Sequence, residues 1–197
     1  LIKIGENGDE EWSNTYGGLD GYSVDQTTDG GYILCGTTDS LSSWDTNIIL
    51  IKTDENGDEE WSKIYGHVGQ PDPWNSSGLT YGNDVARSVQ QTSDGGYIIV
   101  GRWFTWYQGN NQDCFYTMKV DENGEEEWSS IFAYAPYNNS GYSLDQTSDG
   151  GFIFSGTIQV SEWDGDSYLD EHMLVVIKTN SSGEEEWRRH YSTGNSY

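Results

Sequence analysis

Few residues in this chain have the type and spacing that chemistry demands. Its histidines, His67, His172 and His190, fall at positions that are not equivalent to one another. No serine elbow, phosphate loop or His-rich metal motif accompanies them. Carboxylates abound, 33 acidic residues against 9 basic ones. Glycoside hydrolysis needs only two carboxylates, so abundance alone neither assigns nor excludes it, and the chain reads as a non-enzyme. One short cluster, Asp164, Asp166 and Asp170 with Glu171, offers hard oxygen ligands at a spacing that suits Ca²⁺. The Gly and terminal Glu of an EF-hand loop are out of place there, and a solvated acidic loop is the alternative.

Aromatic side chains are the second candidate class. Trp44, Trp74, Trp103, Trp106, Tyr107, Tyr134, Tyr137, Trp163 and Tyr168 fall in stretches expected to be long loops. A flat apolar ring with a polar edge can stack on a sugar or anchor a protein interface. The alternative is that these rings fold back over the ends of the strands. Three sequons, at Asn75, Asn138 and Asn180, mark candidate glycosylation sites in predicted loops or turns. Cys35 and Cys114 are too few for a disulfide framework and fit no zinc spacing. They are expected to be buried thiols, or else a single disulfide between neighbouring repeats.

These residues hang on a repeat. GENGDEEWSNTYG begins at Gly5, DENGDEEWSKIYG at Asp54, DENGEEEWSSIFA at Asp121 and NSSGEEEWRRHYS at Asn180. Each is preceded by an apolar run and carries a Trp four residues after its Gly: Trp12, Trp61, Trp128 and Trp187. A second signal alternates with it, TTDGGYILCG from Thr27, TSDGGYIIVG from Thr92 and TSDGGFIFSG from Thr147. Asn-Gly and Asp-Gly-Gly supply the positive φ of tight hairpins. The acidic turns look suited to Ca²⁺, but the neutral residues at Asn180 to Ser182 point to turn formation as the shared need. The regular Trp placement predicts packing between repeats. No helical periodicity appears. Four antiparallel strands per unit, in units of roughly 45–65 residues, predict an all-β chain of β-propeller-type blades. A β-sandwich, also rich in short strands and turns, is the alternative.

The formal charge of −24 disfavours nucleic acid and anionic membrane as partners, because the long-range field repels phosphate. No apolar run approaches the roughly 20 residues that span a bilayer. The aromatic content of 14 % and the ordered β-branched runs argue for a folded domain with an acidic surface. Beginning at Leu1 inside a strand-like run, the chain reads as processed or as a segment of something longer.

The pattern I-K-T-D-x-N-G-x-x-x-W-x-x-x-Y-G, followed by G-Y-S-x-x-Q-T-x-D-G-G-Y-I-x-x-G, resembles the repeat of large secreted or surface β-propeller proteins of bacteria and archaea. Ile51 to Gly66 and the motifs from Gly21 and Gly141 match it almost letter by letter. The second unit departs with Ala86-Arg87, and the fourth turn with Asn180-Ser181-Ser182-Gly183. The resemblance covers nearly the whole chain apart from three long loops. It implies an extracellular repeat domain, often part of a much longer polypeptide, and carries no catalytic motif.

With strands labelled a to d within a blade, residues 1–17 form a c–d half-blade, and residues 21–66, 85–133 and 141–191 form full blades. That makes about three and a half blades in a single repeat domain. No Asp-Gly-Gly turn follows Trp187 to complete the half-blade. A larger propeller, a small self-closed ring, or an open arc completed by other copies would each answer this. An unpaired edge along Leu1 to Ile4 would recruit another strand. The expectation is an extracellular, glycosylated structural or adhesive surface protein that assembles with copies of itself. A carbohydrate-binding propeller, reading surface glycans with its aromatic loops, is the alternative.

Overall fold

A computed structural model describes residues 1–18, 20–39, 46–66, 83–107, 110–135, 139–163 and 168–192. Side chains are described for these residues except 105–107, 110–112, 133–135, 160–163, 168–171 and 192. The described chain is all-β and contains no helix. Strands β1 (Ile2–Ile4) and β2 (Glu10–Ser13) form a lone antiparallel hairpin. Three four-stranded antiparallel meanders follow. The first comprises β3 (Asp20–Gln26), β4 (Tyr32–Asp39), β5 (Thr46–Thr53) and β6 (Glu59–Tyr65). The second comprises β7 (Val85–Gln91), β8 (Tyr97–Tyr107), β9 (Asn110–Val120) and β10 (Glu126–Ala135). The third comprises β11 (Ser140–Gln146), β12 (Phe152–Trp163), β13 (Tyr168–Thr179) and β14 (Glu185–Ser192). Propeller-type and sandwich arrangements both use such sheets.

The core lies between sheets, as period-2 alternation requires. Ile33, Cys35, Ile48 and Leu50 of the first sheet face Val89, Tyr97, Ile99, Met118 and Val120 of the second. Ile98, Val100 and Phe115 of the second face Phe152, Phe154, Val175 and Ile177 of the third. The second sheet is therefore covered on both faces. Cys35 and Cys114 are free and buried, with burial pushing each thiol up to about 12, so the disulfide alternative is not realised.

The structure corrects one expectation. The segments around Trp103, Trp106, Tyr107, Tyr134, Trp163 and Tyr168 are not loops; they lie in the elongated strands β8, β10, β12 and β13. Runs such as Trp103-Phe104-Thr105-Trp106-Tyr107 combine aromatic and β-branched side chains, which suit a pleated surface. They continue the ladder as far as the Tyr107–Asn110 pair.

Candidate functional site

Both hairpin turns are built by side chains that accept backbone hydrogen bonds. Asp29 Oδ1 accepts from the Thr27 hydroxyl at 2.5 Å and from Gly31 N–H at 3.0 Å, and Gly30 takes φ 91°. Asp94 and Asp149 repeat this arrangement. In the other turn, Asp54 accepts from the N–H groups of Asn56 and Asp58 at 2.8 and 2.9 Å. Asp121 and Asn180 do the same. Those oxygens serve the turns, and the Asn180 amide nitrogen also donates to Glu184.

Each Asp-Gly-Gly turn closes over a buried ammonium group. Lys52 Nζ lies 2.8 Å from Asp29 and 2.7 Å from Glu60. Lys119 lies 3.1 Å from Asp94 and 2.7 Å from Glu127. Lys178 lies 3.0 Å from Asp149 and 2.9 Å from Glu186. Each Lys also donates to the carbonyl of the next residue. The second Gly of the turn permits this approach. A Cβ on Gly96 would stand 2.5 Å from Lys119 Nζ and 2.3 Å from the Val120 carbonyl oxygen. This repeated Lys–Asp–Glu group was not among the residues singled out above. Its signal was there, a lone Lys two residues before each acidic turn in a chain short of cations.

The electrostatics follow. The Lys52 hydrogen bond, with help from Thr27 and Gly31, holds Asp29 down at about 2. The Thr147 hydroxyl, Gly151 N–H and Lys178 likewise hold Asp149 well below the usual carboxylate range. Burial alone would raise Asp94, but Thr92, Gly96 and Lys119 outweigh it. A carboxylate depressed in the folded state contributes stability above its unfolded value, lost as pH falls through the folded one. The free-energy gap between wild type and the triple variant D29N/D94N/D149N is expected to be constant above pH 5. It should begin to narrow below about pH 4 and still be narrowing at about pH 2, as urea unfolding can measure.

Between sheets, one contact recurs. The Trp of β2, β6 and β10 lies on the Gly of the next unit's acidic turn. A Cβ built on Gly57 would fall 2.6 Å from the Trp12 ring, on Gly124 3.1 Å from Trp61, and on Gly183 2.5 Å from Trp128. The same rings meet Tyr32, Tyr97 and Phe152 of that unit at centroid distances of 5.7, 5.9 and 5.8 Å. Tyr16 donates to the Gly57 carbonyl and Tyr65 to the Gly124 carbonyl, each at 2.7 Å. Lys63 pairs with Glu125 beside that Gly. Along the inner strands, Arg87 lies between the rings of Tyr22 and Tyr142, 5.7 and 5.0 Å from their centroids. This gives the Ala86-Arg87 departure a cation–π role.

At both ends the pattern stops with apolar surface uncovered. Lys3 pairs with Glu11 at 3.0 Å, with no second carboxylate in an ion pair with it among the described residues. Ile2 is 60 % exposed where its counterpart Ile51 is 6 % exposed, and Ile4 is equally open. Val24 is 49 % exposed where Val89 is 3 %. A cavity of about 260 Å³ between the hairpin and the first sheet is lined by Leu34, Cys35, Ile49 and Ile51. At the far end Leu174, Trp187 and Tyr191 are exposed.

Of the candidate ligand-binding aromatics, Trp103 is half-buried, packs against the core cluster of the first two sheets and lies 4.7 Å from the Tyr116 ring. Trp106, Tyr107, Tyr134, Trp163 and Tyr168 are placed by backbone only, in the strands named above. Trp44, Trp74 and Tyr137 lie outside the described residues, as do Asn75, Asn138, Asp164 and Asp166. Asp170 and Glu171 fall within β13, paired with Ser161 and Val160. Among the described residues no group of three or more His, Cys, Asp or Glu converges on a metal position. Searches against models of protein families and against curated proteins returned no match.

Proposed function

We propose that this chain is an extracellular structural or adhesive surface protein, a propeller-type arc that assembles with copies of itself. The observation that supports it is the pair of uncovered apolar faces. Ile2 and Ile4 end one side of the arc, and Leu174, Trp187 and Tyr191 end the other. The equivalent positions inside the arc are covered by a neighbouring sheet, so the two exposed faces match the two sides of an internal junction. The charge of −24 and the sequons suit a surface location. The carbohydrate-binding alternative rests on aromatic side chains among which Trp103 is half-buried against the core cluster.

Light scattering over a hundredfold dilution tests the reading. The weight-average mass is expected to rise with concentration above the monomer mass of 22.1 kDa. A mass that stays at the monomer value throughout removes the proposal.

A further inference from the structure

The internal junctions define what each open end lacks. From the strand registers, Trp187, Arg189 and Tyr191 of β14 stand where Trp61, Lys63 and Tyr65 stand in β6. In β6 these three grip the turn at Gly124 and Glu125: the ring lies on the Gly, the phenol donates to its carbonyl, and the ammonium pairs with the acid. The same grip holds Trp12 and Tyr16 on Gly57. On β14 the three side chains are exposed, with Arg189 folded over its own Trp187 ring at 5.8 Å.

Among the described residues the matching turn is also free. Gly8 has the positive φ of 86° shared by Gly57, Gly124 and Gly183, yet nothing lies within 4 Å of a Cβ placed on it. Asp9 follows it as Glu125 follows Gly124. The apolar positions match as well. Leu174 and Val176 occupy the register positions of the buried pair Ile48 and Leu50. Ile2 and Ile4 occupy those of Ile51 and Thr53, which such a pair would face across a junction.

We infer that β14 of one copy docks on the β1–β2 hairpin of a second copy, with Trp187 on Gly8, Tyr191 donating to the Gly8 carbonyl, and Arg189 paired with Asp9. This rests on the assembly reading and names its interface. The contact is heterologous, head to tail, so repetition gives a ring or an open superhelix. It reproduces the outer half of an internal junction. The inner half, where Tyr97 meets Trp61, has no counterpart on a two-stranded hairpin, so a weak, concentration-dependent association is expected.

Charge exchange tests it by analytical ultracentrifugation. D9K and R189E each place like charges at the junction, and each should raise the concentration needed for association about tenfold or more. Mixing the two variants restores attraction when the copies alternate. Arg189 of a D9K copy then meets Asp9 of an R189E copy, and at the next junction the introduced acid meets the introduced ammonium group. Association of the mixture should return toward the wild-type level. In the otherwise wild-type chain, Y191F should weaken association. If wild type associates but D9K and R189E associate equally well, this interface is wrong while assembly stands. If the single variants fail to associate and their mixture also fails, the pairing is wrong. If wild type is monomeric throughout, assembly itself fails.

Discussion

Replacing Asp94 and Glu127 together by their amides is expected to destabilise the protein by about 3 kcal/mol. The reason is asymmetry of burial. The Lys119 side chain is 3 % exposed, whereas those of Asp94 and Glu127 are 62 % and 47 % exposed. Removing the carboxylates strands a cation that cannot reach water, with only the Val120 carbonyl and weak amide dipoles to answer it. Removing the cation frees two groups that water already solvates. Lys119→Met should therefore cost much less than the double amide variant, since an apolar replacement of a buried charge is often near neutral. Chemical denaturation of both variants beside wild type decides it. Equal losses would mean that the pair acts through the carboxylates' own roles in the turn and not through the buried charge.

Gly101→Ala should be comparably damaging, at about 3 kcal/mol, through overpacking against backbone. A Cβ there would stand 1.9 Å from the Val85 carbonyl oxygen, so β7 and β8 would have to part. Gly36 and Gly156 face the same obstacle from Asp20 and Ser140, at 2.2 Å in each case. Each adjoins an irregularity in the pairing of its two strands, between Gly21 and Ser23, Ala86 and Ser88, and Gly141 and Ser143. Gly21→Ala is the control. No described residue lies within 4 Å of its Cβ, and the change should move the thermal midpoint little. A Gly101→Ala variant as stable as Gly21→Ala would show that the strands give way easily.

The strand order was legible in the sequence because its turns announce themselves. Asp-Gly-Gly and Asn-Gly each demand a positive φ, and the register between turns follows from alternation. The Trp at the end of each unit was legible as packing for the same reason of regular placement. The Lys–Asp–Glu group escaped because its members come from three strands or turns, as with Lys52, Asp29 and Glu60, and only folding brings them together. The long hairpins escaped for a different reason. Polar residues such as Asn110, Asn111 and Gln112 weaken the alternation there, although the backbone ladder runs on. The open ends were legible as a missing half-unit. The pairing inferred between Arg189 and Asp9 was not, because the inference depends on seeing Lys63 and Glu125 paired.

The second sheet is the one with a four-stranded sheet on both faces, and this orders how the molecule comes apart. In a linear stack, each unit's stability is its own plus that of its contacts with adjacent units, so unravelling starts at the two termini. A chain docked at both ends by other copies would have no termini in that sense. Resistance to unfolding would then be a property of the polymer's length as much as of the sequence, and dilution would act as a denaturant.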